Sequence, residues 1–123
     1  MQIAGIRRLE SEEDLERLRA GDIVEAQLRD APFHGYLYFT GYATEPFTWR
    51  HQLQFFGICD RERLVYYISP DKLSVTDGII TQKSRLSQML IGGDLNIFPA
   101  GVSNAKIFQD AYDAITSLKG VSL

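Results

Sequence analysis

The sequence predicts an α+β domain that is mainly β. Its core is a small antiparallel sheet, strongly curved or forming a partly open barrel of five to six strands, with an N-terminal and a C-terminal helix packed on it. Three observations predict this. Between Asp22 and Thr81, five or six short runs rich in β-branched and aromatic residues follow one another, separated by turn residues. Ahead of them, Ser11-Glu12-Glu13-Asp14 has the form of a helix start, a hydroxyl with an acid three residues later. Behind them, Ile107, Phe108, Ala111, Ile115 and Leu118 recur at helical spacing.

Residues 1–10 fit either a helical turn or an edge strand, since Ile3, Ile6 and Leu9 are spaced by three. A short helix is expected over 12–20. Acids crowd its first turn, where the helix dipole favours them, Arg17 and Arg19 follow in its last turn, and Gly21 can end it. The first strand is Asp22–Arg29, with Val24, Ala26 and Leu28 on one face. The second is His34–Ala43. Its alternation puts Tyr36, Tyr38 and Tyr42 on one face and Leu37 and Phe39 on the other, so it is either covered on both sides or binds something on one. Gly35 and Gly41 mark bends.

Glu45-Pro46 breaks the pattern, and 44–50 is a loop carrying Phe47 and Trp49. The third strand, His51–Cys59, alternates Leu53, Phe55 and Cys59 against Gln52, Gln54 and Phe56. After the charged turn Asp60–Arg63 comes a fourth, Leu64–Ser69, ended by Pro70-Asp71. Leu73 and Val75 form a fifth, and Asp77-Gly78 turns it into a sixth, Ile79–Thr81. Residues 82–102 admit two assignments: a helix over Ser84–Leu90, or a hairpin in which Ile91–Phe98 pairs with what precedes it around Gly92-Gly93. A helix over 103–118, capped by Ser103 or Asn104, covers one face or one opening of the sheet, with Gln109, Asp110, Asp113 and Thr116 facing away.

A chain of 123 residues fits a single domain, 1–123, and can bury roughly two thirds of its unfolded surface. It therefore needs neither metal nor disulfide to fold. The net charge of −3 argues against a generally basic nucleic-acid-binding surface and leaves only a local patch. Cys59 is the single cysteine, so no internal disulfide forms, which fits a reducing compartment. The sequence has neither a signal-peptide core nor a run of about 18 apolar residues. The expectation is a cytoplasmic protein with no membrane association.

No phosphate-cradling glycine loop, nucleophile elbow, zinc-binding His-Glu-x-x-His or cysteine pair is present, so no catalytic residue, metal site or cofactor is assigned. His34, His51 and Cys59 are the candidates for base or nucleophile chemistry. On one strand His51 and Cys59 stand eight residues apart, about 26 Å. Read structurally, Cys59 is a small buried hydrophobe and both histidines are strand-end residues.

The aromatic residues carry the functional expectation. Tyr36, Tyr38, Tyr42, Phe47, Trp49 and Arg50 form the candidate binding surface, of the kind small barrels use to dock a peptide or stack a base. The overall plan resembles the Src-homology and Tudor class of small barrels, in architecture and not in any motif. The expected function is a non-catalytic interaction module for a protein partner: an adaptor, a neutralising partner or an assembly factor. A homodimer is a further use of the same surface. One alternative is nucleic-acid binding, with Arg50, Arg61, Arg63, Lys72, Lys83 and Arg85 gathered beside the aromatics. Another is a small enzyme using a histidine. Read structurally, Tyr36 and Tyr38 cover a core whose other wall is the C-terminal helix, and Glu10, Glu12, Glu13, Asp14 and Glu16 are a solvated face.

Overall fold

Seven strands make one sheet: β1 (Ile23–Leu28), β2 (Phe33–Thr44), β3 (His51–Cys59), β4 (Glu62–Ile68), β5 (Leu73–Thr76), β6 (Ile79–Gln82) and β7 (Leu95–Pro99). A short helix α1 (Leu86–Ile91) precedes β7, and α2 (Ala105–Thr116) follows it. The computed structural model describes residues 6–28, 33–59, 62–100 and 105–118.

The strand order is β5-β6-β1-β2-β3-β4-β7. Every neighbouring pair is antiparallel except β1 and β6, which run parallel through Ala26–Ile80 and Gln27–Thr81. Strands β4 and β5 lie five spacings apart in this order, yet only Ser69 and the 3-10 turn Pro70–Lys72 connect them. Five spacings on a flat sheet are about 24 Å. The five Cα steps from Ile68 to Leu73 span at most about 18 Å when fully extended. The sheet must therefore curl into a trough that brings β5 back towards β4.

The concave face is filled by side chains from every strand. Leu37, Phe39, Leu53, Phe55, Tyr66 and Ile68 form its floor, joined by Leu73, Ile80 and Leu95. Leu9, Leu15 and Leu18 from the N-terminal segment and Met89 from α1 close it. Alternation sends Phe56, Val65 and Tyr67 to the convex face, where Phe108, Ala111 and Ile115 of α2 cover them. Phe56 and Phe108 stack at 5.5 Å between ring centroids.

A β-bulge interrupts β2. Phe39 pairs with Phe55 and Gly41 with Gln54, so Thr40 is the extra residue, and Gly41 adopts φ +125°. The bulge shifts the alternation by one. Tyr38 pairs with Phe56 on the convex side, whereas Tyr42 pairs with Leu53 on the concave side.

The structure corrects several sequence expectations. There are seven strands and not five or six, and the sheet is open. The β core extends beyond 22–81 and is not wholly antiparallel. Nothing local marks the partner of the seventh strand: Leu95–Pro99 pairs with β4, far away in sequence, and not in a hairpin about Gly92-Gly93. The first helix is a 3-10 helix over Glu12–Arg17, ended by an extended Leu18. Ser11 makes no side-chain cap. Asp14 instead accepts a hydrogen bond from the Glu10 amide at 2.8 Å. The expected helix over Ser84–Leu90 is shorter and later, Leu86–Ile91. In α2, Phe108, Ala111 and Ile115 are buried and Gln109, Asp110, Asp113 and Thr116 exposed, as the spacing requires, and Leu118 is buried just past the helix, which ends at Thr116 and not at 118. Ser103, Asn104 and the Ile107 side chain lie outside the described residues, as do Asp60, Arg61 and the side chains of His34 and Cys59.

Phe108→Ala should destabilise the protein by about 3–5 kcal/mol, because it removes a buried ring and leaves a cavity against Phe56. Urea denaturation measures this, and a loss near zero would place α2 away from the sheet.

Candidate functional site

The connection between β2 and β3 is short, and its conformation is set by one carboxylate. Glu45 is fully buried. One of its oxygens accepts the Phe47 amide at 2.9 Å, and the other accepts the Thr48 amide and, at 2.5 Å, the Thr48 hydroxyl. Its own backbone closes the loop, since the Glu45 amide donates to the Arg50 carbonyl and the Trp49 amide donates to the Glu45 carbonyl. Trp49 takes a left-handed conformation, φ +60°, which completes the turn. Burial of Glu45 opposes ionisation. The hydrogen bonds from the Thr48 hydroxyl and the Phe47 and Thr48 amides outweigh it and hold the carboxyl below its ordinary value of 4.5.

This internally braced loop holds two large aromatic side chains in water. Phe47 is 76% exposed and Trp49 is 79% exposed. Phe47 is not loose: its ring stacks on Phe98 of β7 at 5.3 Å, and Tyr67 meets Phe98 edge-on. A second tether runs to the turn between α1 and β7. Arg50 forms an ion pair with Asp94 at 3.1 Å, and the Gln52 amide donates to the Gly93 carbonyl and the Ser69 hydroxyl. That turn follows Leu90 and Ile91, which are 45% and 88% exposed. Beside it lies an open cleft of about 590 Å³ whose lining includes Arg50, His51, Gln52, Asp71, Lys72 and Asp94. Phe47, Trp49, Leu90 and Ile91 thus belong to two segments tethered together at one end of the sheet, next to a polar cleft.

Of the residues expected from sequence, Phe47, Trp49 and Arg50 stand together here. Tyr36 and Tyr38 do not. Both are partly buried on the convex face, and Tyr38 packs against the cluster beneath α2. Tyr42 stands apart from them because of the bulge: it lies at the end of the concave face, edge-on to Phe39 and stacked on His51 at 5.5 Å. Three participants escaped the sequence reading. Glu45 looked like a loop acid beside a proline. Leu90 is read as an apolar residue at the end of a helix over Ser84–Leu90 and Ile91 as the start of a hairpin strand, and neither position signals its exposure.

Among the described residues His51 meets Tyr42 and not a carboxylate, and β3 runs unbroken between His51 and Cys59. No group of three His, Cys, Asp or Glu among the described residues could hold a metal ion. Among the described residues Arg63 stands apart from Arg50. Arg63 pairs with Ile58, about 20 Å along the strand from Gln52, and its guanidinium lies 4.0 Å over the Tyr112 ring. Among the described residues no helix is long and apolar enough to cross a membrane. No protein-family model, curated protein or solved structure matches this chain.

Removing the brace should free the loop. Glu45→Ala is expected to cost about 1–3 kcal/mol through unpaired amides and to lower the fluorescence anisotropy of Trp49, the single tryptophan. Because the folded pKa is depressed, the stabilisation from Glu45 is complete above the unfolded value and is lost as pH falls through the folded one. The gap in urea midpoint between wild type and Glu45→Ala should therefore narrow on acidification below about pH 4. A gap that stays constant would show that the carboxylate charge does not hold the loop.

Proposed function

We propose that this chain is a non-catalytic, cytoplasmic interaction module that docks a protein partner through the braced loop and the adjoining end of α1, with Phe47 and Trp49 as anchors. One observation carries the proposal: a buried, ionised carboxylate is used to hold two large aromatics in solvent. Nothing in folding rewards that arrangement. Aromatic side chains lose hydrophobic stabilisation when left in water, and a loop with no role could relax and fold them down. In binding the arrangement is useful. Affinity at interfaces concentrates in a few large anchors, and an anchor already fixed in place avoids the ordering cost on association.

The mode of action is adaptor-like: recognition through a preorganised apolar corner, with no bond made or broken. Of the candidate surface, Phe47, Trp49 and Arg50 are retained as the anchoring group. Tyr36 and Tyr38 act as structural cover for the sheet, and Tyr42 with His51 belongs to the rim of the neighbouring cleft. Nucleic-acid binding is less well supported, because Arg50 is already paired with Asp94 and Arg63 lies at the far end of β4.

Trp49→Ala should leave the melting temperature within about 2 °C of wild type, since an exposed side chain contributes little to folding. The same change should abolish co-purification of the partner from a nuclease-treated lysate of the source cells. In the wild type, Trp49 emission should shift to the blue when the purified partner is added. A partner retained by Trp49→Ala, or an unchanged emission spectrum, would refute the docking role.

A further inference from the structure

We infer that the docked segment is an acidic stretch of polypeptide carrying at least one large apolar side chain. This inference rests on the docking role of Trp49 and adds the chemistry of the partner. It comes from the charge around the apolar corner. Lys72 lines the cleft, and its carbonyl accepts the Lys83 amide at 2.9 Å, which brings Lys83 to the same end of the sheet. Arg85 follows as the residue that opens α1, the helix ending in Leu90 and Ile91. Lys72, Lys83 and Arg85 thus add three cations to this end beside Arg50, which is paired with Asp94, and Lys83 and Arg85 are exposed. Asp94 is taken up by Arg50, so Asp71 is the unpaired acid among the residues that line the cleft. The Glu45 carboxylate is buried and satisfied within its loop. This end is thus locally positive on a chain whose net charge is −3.

A short segment fits better than a second copy. In a two-fold dimer this patch would face its own copy and set Lys72, Lys83 and Arg85 against the same cations. A peptide with carboxylates flanking one or two anchors matches both the apolar corner and the cationic rim. A phosphate backbone does not use Leu90 and Ile91, and it requires more cations than this end supplies.

The test is selection of a random dodecapeptide display library on the wild type, on Trp49→Ala and on the double variant Lys83→Glu/Arg85→Glu. Both charge changes are at exposed positions, so melting curves confirm that the fold is kept. Peptides selected by the wild type should carry Asp or Glu beside a large apolar residue. Titrated against Trp49 emission, they should bind at least about tenfold more weakly to the double variant. Binding should also weaken severalfold between about 50 and about 300 mM NaCl. Selected peptides that are neutral or basic, or no enrichment at all, overturn the acidic assignment, and the docking role of Trp49 stands if the partner is still lost on Trp49→Ala. Acidic peptides that bind Trp49→Ala undiminished overturn the docking role itself. Displacement of the peptides by an equal concentration of oligothymidylate reassigns the site to nucleic acid. A concentration-dependent dimer in sedimentation velocity that Trp49→Ala abolishes reassigns it to a second copy.

Discussion

The link between β4 and β5 shapes everything else in this fold. Ser69 and one 3-10 turn must join two strands that the sheet order separates by five spacings. The sheet has to curl, and its concave side becomes a trough that side chains fill. Gly57 shows how tightly: a Cβ there would come within 2.7 Å of Leu37 and 2.9 Å of Tyr66. The convex side is taken by α2 over Phe56 and Val65. With both faces of the sheet committed to packing, recognition is left to the ends of the strands and the loops that join them, where elements are positioned by a rigid scaffold without belonging to its core.

The loop of Phe47 and Trp49 illustrates the division between stability and use. Burying a carboxylate is costly unless its lone pairs are filled, and the Thr48 hydroxyl with two amides fills them. The result is a loop with an internal polar core in place of a hydrophobic one, which frees its aromatics from a structural role. The tethers through Arg50–Asp94 and Gln52–Gly93 then fix the loop to the end of α1. Segments more than forty positions apart in sequence thereby meet at one corner beside one polar cleft. The rigidity of the corner comes from hydrogen bonds and an ion pair, and its affinity for a partner would come from the side chains those bonds hold outward.

Local periodicity carried most of the fold into view. Strands β1 to β6 and the buried stripe of α2 followed from alternation, turn residues and helical spacing, because those patterns arise from the backbone's own repeat. The site was partly visible. Phe47 and Trp49 stood out as large aromatics in a loop after Glu45-Pro46, where no core is close in sequence. Tyr42 was grouped with Tyr36 and Tyr38 because strict alternation has no room for the extra residue at Thr40. A bulge changes every later side, and Gly41 marked a bend without revealing its register.

By itself, then, the sequence determined the mainly β character, a C-terminal helix packed on the sheet, the lack of familiar catalytic motifs and the aromatic loop. Each is a local or compositional property, set by residue types at short spacing. The tertiary structure alone decided the parallel contact of β1 with β6, the place of β7 beside β4, and the meeting of Trp49's loop with Ile91's helix. Those depend on which distant strand edges pair. Pairing between distant edges leaves no periodic trace in either strand, so only the folded chain specifies it.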